Sequence, residues 1–365
     1  MTRALASAPT PPPQITHPFA IGGVPLSSRF CLAPLAGFTS LAFRLAVRSA
    51  SDGGLGMATT DLVNARSLLE SRPRSYELTE TCAEDRPLAI QIYGAKIEEM
   101  TLAAKKVVDL GATIVDINMG CPVRKVVRTG GGSALMCEAD AASHLVEAVV
   151  KAAGVPVTVK MRLGWDDKNL SAPDLARRFE SIGAAAVIIH GRTRAQGFKG
   201  NVNLEGIQAV VDAVDRIPII GNGDVRNLAE AERMFRVTGC AAVSIGRGAL
   251  ADPFIFRKLS RWAQTGDPGP EPTFLERVDL MKRHFRGLLE RRGEHFACLQ
   301  FRKTVRWHNH SIRAPKPLYL RLINLPSAAW FEESIAMIEE AGPVPFAPGQ
   351  TAPEIPVPSG PIDKW

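Results

Sequence analysis

The sequence lacks the features by which membrane, disulfide-rich and metal-binding proteins are recognised. No apolar run approaches the about 20 residues that span a bilayer, and residues 1–17 contain neither the apolar segment nor the cleavage pattern of a secretory signal. The six cysteines are far apart and form no Cys-x-x-Cys pair and no Cys/His cluster with the spacing of metal ligands. We therefore expect reduced thiols, a cytoplasmic location, no metal and no contact with a membrane.

A glycine-rich G-x-G-x-x-G turn after an early strand is also missing, which disfavours a doubly wound dinucleotide-binding sheet. The sequence shows a repeat instead: short apolar runs alternate with longer amphipathic segments between residues 31 and 261. The runs are rich in Val, Ile and Ala, as in parallel strands that are buried on both faces. Eight strand–helix units that close on themselves predict an α/β fold, a (β/α)8 TIM barrel. The predicted strands are 31–35, 55–60, 88–93, 113–118, 155–161, 185–190, 217–221 and 241–245.

The chain of 365 residues can hold one barrel of roughly 250 residues and a smaller second module. Strand patterns stop after residues 268–270 (Pro-Gly-Pro), and residues 274–291 and 296–308 have the periodicity of helices. Dense prolines from residue 343 onward disfavour both helix and central strand. We predict a disordered leader at 1–17, a TIM-barrel catalytic domain at 18–265, an α-helical domain at 271–341 and a proline-rich tail at 342–365.

The net charge of +7 is concentrated in one part of the chain. Residues 251–320 contain 14 Lys and Arg against 7 Asp and Glu, whereas the rest of the chain contains 30 of each. Because Lys and Arg contacts to phosphates supply the sequence-independent part of nucleic-acid affinity, this distribution predicts that the helical domain meets a polyanion. The alternative on charge alone is an ordinary solvated basic surface.

Each predicted strand ends at residues that barrel packing does not require. Singly, each has an ordinary structural explanation, such as a satisfied interior histidine or a buried cysteine in a Gly/Pro turn. Together they would surround the mouth at the carboxyl ends of the strands, where TIM barrels carry their active sites. The residues are Pro34, Leu35, Ala36, Asp61, Gln91, Asn118, Cys121, Lys160, Arg162, His190, Asn222, Gly223, Asp224, Gly246 and Arg247.

The seventh and eighth strands end in glycine-rich segments, which is the phosphate position of this fold. Glycines let backbone N–H groups approach phosphate oxygens, and Arg247 can add a charge-assisted hydrogen bond. A flavin also needs donors at its pyrimidine edge, and Gln91 and Lys160 are of that type. These residues predict FMN in the barrel mouth, with the Cys121 thiol facing it as a proton donor.

The motifs at the strand ends, taken in order, resemble those of the tRNA-dihydrouridine synthases, and among these the bacterial B-type subgroup. The similarity covers roughly residues 19–323, and the Cys121 and Lys160 motifs are the most specific. One loop departs from the pattern, since 201–203 reads Asn-Val-Asn in place of an Ala-Asp-Trp type of sequence. The motifs are Ala33-Pro34-Leu35-Ala36-Gly37, Gln91-Ile92-Tyr93-Gly94, Asn118-Met119-Gly120-Cys121-Pro122, Lys160-Met161-Arg162-Leu163-Gly164-Trp165, His190-Gly191-Arg192-Thr193, Gly221-Asn222-Gly223-Asp224 and Ile245-Gly246-Arg247-Gly248.

The resemblance implies reduction of the C5–C6 bond of specific uridines in the D-loop region of tRNA, by FMN that NADPH reduces. Hydride would go from reduced FMN to C6, and Cys121 would protonate C5. Asn118 and Arg162 would line the uracil. The resemblance assigns cofactor binding to Pro34, Leu35, Ala36, Gln91, Lys160, His190, Asn222, Gly223, Asp224, Gly246 and Arg247.

A uracil inside folded tRNA must be flipped out to reach a barrel mouth. We expect Arg302, Lys303 and Arg306 of the helical domain to bind tRNA, while Phe301 and Trp307 either stack on bases or form the core of a small bundle. Two other functions stay open: an FMN barrel acting on a free pyrimidine such as dihydroorotate, and a non-catalytic RNA-binding protein. No obligate protein partner is predicted.

Overall fold

The computed structural model describes residues 8–345. Eight parallel strands form a closed ring in which each strand is bonded to two neighbours, so the predicted TIM barrel is confirmed. The two-residue strand β5 (Val63–Asn64) pairs with β6 outside the ring. The ring follows chain order and consists of β3 (Phe30–Leu32), β4 (Met57–Thr59), β6 (Leu88–Tyr93), β7 (Ile114–Met119), β8 (Val157–Arg162), β9 (Ala186–His190), β10 (Ile219–Asn222) and β11 (Ala242–Ile245).

A short antiparallel hairpin, β1 (Phe19–Ile21) and β2 (Val24–Leu26), precedes the barrel and was not predicted. Its buried residues Ile21 and Leu26 share one apolar cluster with residues at the beginnings of the barrel strands, such as Ile114. The hairpin therefore covers the amino end of the barrel interior. The carboxyl end is left open.

Helices surround the ring, and their ends follow from local capping. Ser40, Asn203 and Asn227 each accept a backbone N–H at a helix start, while Gly154 and Gly239 end helices in the left-handed conformation. The helices of the barrel domain are α1 (Leu41–Ser51), α2 (Ala65–Leu69), α3 (Pro73–Thr79), α4 (Ile97–Asp109), α5 (Arg124–Val127), α6 (Ala139–Ala153), α7 (Ala172–Ser181), α8 (Leu204–Val211), α9 (Leu228–Thr238), α10 (Arg247–Ala251) and α11 (Ile255–Thr265).

The predicted α-helical region follows, as α12 (Phe274–Ile312), α13 (Lys316–Ile323) and α14 (Ala328–Ala341). A capping box of Thr273 and Glu276 begins α12, and Gly293 with φ +70° interrupts it. This break explains why the sequence pattern predicts two helices there. The region has its own core, in which Phe285 stacks on Phe331 with ring centroids 4.0 Å apart, and Ala42 of α1 joins that core.

Residues 8–17 correct the expectation of a disordered leader. Trp262 Nε1 donates to the Pro9 carbonyl at 2.5 Å, Arg236 Nη2 donates to Thr10 O at 2.7 Å, and Ile15 is buried. Proline-rich backbone is extended and leaves its carbonyls free, so side-chain donors of the barrel can hold it. The rest of the leader, 1–7, and the tail from 346 lie outside the described residues. Within residues 8–345, no helix has the length and apolarity needed to cross a membrane.

Candidate active site

A cavity of about 380 Å³ opens at the carboxyl ends of the strands. Its volume falls in the range of small-molecule and cofactor sites, roughly 300–1,000 Å³. Of the barrel residues that the sequence predicts at the mouth, all but Asp61 line the cavity; the Asp61 carboxylate instead accepts the Gly37 and Leu62 backbone N–H groups. The cavity lining includes Pro34, Leu35, Ala36, Gln91, Asn118, Cys121, Lys160, Arg162, His190, Asn222, Gly223, Asp224, Gly246 and Arg247.

Cys121 lies in a turn just after β7, and hydrogen bonds from both sides fix that turn. The Asn118 Oδ1 accepts the Cys121 N–H at 2.9 Å, and Arg162 Nε donates to the Gly120 carbonyl at 2.8 Å. Burial raises the pKa of the Cys121 thiol above its usual value, and this effect outweighs the nearby positive charge of Arg162. The thiol therefore keeps its proton at neutral pH and faces the cavity.

A buried chain of hydrogen bonds fixes the amides next to Cys121. Gln91 Nε2 donates to Asp116 Oδ2 at 2.6 Å, and Asn118 Nδ2 donates to Gln91 Oε1 at 2.8 Å. Thr158 Oγ1 donates to the other oxygen of Asp116 at 2.6 Å. The sequence analysis missed Asp116; its signal was a carboxylate inside the apolar run of β7. Burial raises its pKa to about 6, so above that pH it is an acceptor that orients the Gln91 amide.

Lys160 brings a positive charge to the cavity wall. Its Nζ donates to Asn222 Oδ1 at 2.9 Å, and Asn222 Nδ2 donates to the Ser244 carbonyl at 2.7 Å, so this chain of bonds links β8, β10 and β11. Burial lowers the pKa of Lys160 to about 8, while the attraction of Asp116 opposes the shift. The amine is therefore mostly protonated at neutral pH.

The ends of β10 and β11 carry a group of paired charges. Asp224 accepts from Arg192 Nη2 at 2.5 Å and from Arg247 Nη2 at 2.8 Å, so its carboxylate orients two guanidinium groups. Gly223 has φ +123°, and an added Cβ would lie 2.4 Å from Val202. These segments therefore approach each other closely, and only glycine fits at position 223. Arg192 was not predicted as a site residue, although it lies inside a quoted motif.

His190 lies beside this group, with its Nε2 3.3 Å from Arg192 Nη1. Burial, together with the charges of Arg162, Lys160, Arg192 and Arg247, lowers the pKa of His190 well below its usual value. The ring is therefore neutral and can contact a ligand without adding a further positive charge.

The segment after β9, residues 193–202, forms another wall of the cavity. Arg162 Nη1 donates to the Thr193 and Gly197 carbonyls at 2.9 and 2.7 Å, so the guanidinium that supports the Cys121 turn also holds this segment. Phe198 lines the cavity, with Arg162 Cζ 5.3 Å from its ring centroid. The unusual 201–203 sequence lies here, and the Val202 N–H donates to Asp224 at 3.2 Å.

Comparison with known proteins decides the family. The family model of dihydrouridine synthase matches residues 31–335. The chain belongs to the dihydrouridine synthase family. Family relatives named "Probable tRNA-dihydrouridine synthase" include that of Rhizobium leguminosarum bv. phaseoli, 40% identical over 77% of this chain and 85% of its own length. That of Rickettsia bellii is 36% identical over 80% and 89%, and that of Mycobacterium tuberculosis H37Rv is 35% identical over 96% and 90%.

Membership of the dihydrouridine synthase family makes the protein a flavin-dependent oxidoreductase. Solved structures are similar in fold alone. Morphinone reductase in complex with tetrahydroNAD has a TM-score of 0.50 at 16% identity and covers 71% of this chain and 93% of its own. A 2-naphthoyl-CoA reductase complex has a TM-score of 0.55 at 14% identity, covering 70% and 52%.

The helical region contributes Trp307 to the cavity lining. Its indole is 8% exposed and packs edge-on against Phe38, with ring centroids 6.3 Å apart. Phe301 is fully buried in the helical core. Of the two roles considered for Phe301, this is packing in the core of a small bundle rather than stacking on bases. Arg302 donates two hydrogen bonds to the Leu325 carbonyl, while Lys303 and Arg306 are exposed. These three cations lie outside the cavity.

Proposed function

We propose that the protein is an FMN-containing, NADPH-dependent tRNA-dihydrouridine synthase that reduces the C5–C6 bond of specific uridines in the D-loop region of tRNA. The observation that supports this most is a protonated thiol and a cationic, glycine-lined group at two ends of one cavity. The first is the donor that saturation of a uracil requires, and the second suits the phosphate of FMN. With tRNA as substrate and NADPH as reductant, we expect the reaction to take place in the cytoplasm.

The residues of the cavity fit FMN. A Cβ on Gly248 would lie 2.2 Å from the Val225 carbonyl, and Arg247 and Gly248 begin α10, where first-turn N–H groups have no acceptor within the helix. A phosphate would complete this arrangement with Asn222, Gly223, Asp224, Gly246 and Arg247. The pyrimidine edge of the flavin would be bound by Gln91 and Lys160. Pro34, Leu35, Ala36 and His190 would contact the rest of the cofactor.

When bound and reduced, FMN supplies the hydride that adds to C6 of the uracil. The Cys121 thiol supplies the proton for C5, and its raised pKa keeps that proton available at neutral pH. Asn118 holds the Cys121 turn and, together with Arg162, orients the uracil. Solvent then returns a proton to the thiolate sulfur. The two electrons of the hydride and one proton account for the saturated bond.

The helical region favours tRNA over a free pyrimidine. A cavity for dihydroorotate needs no wall from a second domain, whereas here Trp307 of α12 forms part of the lining. Lys303 and Arg306 lie on the same helix and are exposed. A uridine that is flipped out of tRNA would place its neighbouring phosphates near these cations.

Purified protein should show a flavin spectrum that NADPH bleaches under anaerobic conditions, because the bound flavin accepts its hydride. It should also restore dihydrouridine to tRNA from a strain that lacks this gene, with the modified positions mapped along the tRNA. Free uracil and dihydroorotate serve as controls and should turn over far more slowly than tRNA. A colourless protein, or unchanged dihydrouridine in the tRNA, would refute the proposal.

A further inference from the structure

The charge that the sequence assigns to the helical region is largely compensated within the protein. At least nine of the 14 cations in residues 251–320 form ion pairs, and some of the partners come from outside these residues, as with Arg292 and Glu77 at 2.8 Å. Lys303 and Arg306 are exposed and make no ion pair within residues 8–345. The paired cations are Arg257, Lys258, Arg261, Arg277, Lys282, Arg283, Arg286, Arg291 and Arg292.

A second group of cations lies directly after Cys121, in residues 124–128, here called the basic turn. Arg124, Lys125 and Arg128 are all exposed, and none forms an ion pair within the described part of the chain. No acidic residue occurs between positions 122 and 137. Val126 is buried, so it anchors the turn while the three cations face solvent. Although the chain outside residues 251–320 is neutral as a whole, this turn carries three exposed positive charges next to residues that line the cavity.

The basic turn and the α12 cations lie on different sides of the cavity. Cys121, Pro122 and Val123 line the cavity after β7, whereas Trp307 of α12 packs on Phe38, which follows β3. In the ring, two strands separate β3 from β7 on one side and four on the other. A nucleotide inserted into this cavity has two backbone strands leaving it, one toward the 5′ and one toward the 3′ side.

We propose that the basic turn is a second phosphate-binding surface for tRNA, which holds the backbone on the side of the cavity away from α12. This inference rests on the proposed tRNA substrate. Each phosphate contact by Lys or Arg releases counterions, so the slope of log affinity against log salt changes by about 0.7–0.9 per contact. Loss of all three contacts should flatten that slope by about two to three.

The test compares Arg124→Gln/Lys125→Gln/Arg128→Gln with a control of equal charge loss, Lys105→Gln/Arg177→Gln/Arg233→Gln. The control residues are exposed on the outer helices α4, α7 and α9. Binding of unmodified tRNA to the FMN-loaded proteins is measured by fluorescence anisotropy across a salt series. The basic-turn variant should bind at least about tenfold more weakly at low salt with the flatter slope, whereas the control should change the slope by less than about one.

Further measurements separate loss of phosphate contacts from damage to the fold or the cofactor site. In the basic-turn variant, FMN content, thermal unfolding and the rate at which NADPH reduces the bound flavin should match wild type. Glu in place of Gln at the three positions should weaken tRNA binding further. Equal slopes for the two triple variants would overturn the inference. So would a raised KM for NADPH with unchanged tRNA affinity, since the turn would then bind the dinucleotide. If wild type itself bound no tRNA, the proposed function would fail instead.

Discussion

The two ends of the cavity are built from different interactions. At the Cys121 end, Asn118 and Arg162 hold the turn, a chain of buried amide hydrogen bonds leads to it, and burial raises the pKa of the thiol. At the Asp224 end, a carboxylate positions Arg192 and Arg247 beside tight glycine segments. A nearby positive charge lowers the pKa of a thiol, but at the Cys121 end burial outweighs the charge of Arg162, so the thiol keeps its proton. One cavity can therefore hold an anion at the Asp224 end and a proton donor at the Cys121 end.

This comparison predicts that substitutions at the two ends affect different quantities. Changes at the Asp224 end should alter the affinity for the cofactor, because the charges there are fixed before ligand binds. Changes at the Cys121 end should alter turnover, because the thiol acts on the substrate. A substitution that moves both quantities together would show that the two ends are coupled, with Lys160 and Asn222 as the physical link between them.

The largest expected effect is that of Cys121→Ala. Loss of the proton donor should lower the single-turnover rate at which tRNA oxidises the reduced flavin by about 10²–10⁴-fold, the usual contribution of general acid catalysis. FMN content should not change, since Cys121 lies away from the Asp224 end of the cavity. Stopped-flow flavin absorbance measures the rate. Cys137→Ala, at an exposed thiol on the same connection, should behave as wild type. A Cys121 variant that lost flavin but kept its rate would contradict the comparison.

The second effect concerns the other end. Arg247→Gln should raise the Kd for FMN by about 10- to 100-fold, as expected for the loss of charge-assisted hydrogen bonds worth about 1.5–3 kcal/mol. At saturating FMN the single-turnover rate should stay near that of wild type. Quenching of flavin fluorescence gives the Kd. Arg233→Gln, which removes an exposed charge on α9, is the matched control. A rate loss that saturating FMN did not restore would assign Arg247 to the chemical step instead.

The barrel could be predicted because parallel strands buried on both faces leave continuous apolar runs in the sequence. The residues after each run then had to meet at one end of the ring, which is why the predicted cavity residues come together. The apolar run predicted at 88–93 has the bounds of β6. The hairpin β1–β2 escaped prediction because two three-residue strands are too short to show alternation.

Pairing between distant residues could not be predicted. Arg192 and Asp224 lie 32 positions apart, and only the closed ring brings their charges together. The same holds for charge: a count over residues 251–320 contains Arg292 but not its partner Glu77, so it overstates how many cations can reach a phosphate. The sequence does not show which way the Asp116 side chain points, because a side chain within a strand can face either the barrel interior or the helices.

The smallest expected effect is a difference in pH dependence between FMN affinity and the single-turnover rate. The pKa of Lys160 is lowered to about 8, so this amine is charged below pH 8 and loses its proton as pH rises through that value. FMN affinity should therefore fall by less than about tenfold between pH 7.5 and 9. The pKa of Cys121 is raised, so the single-turnover rate at saturating FMN should hold over the same range. Lys160→Met should remove the change in affinity. The contrary outcome is that FMN affinity and the single-turnover rate fall together in wild type, and that both declines are still seen in Lys160→Met. A single group other than Lys160 would then control both ends of the cavity.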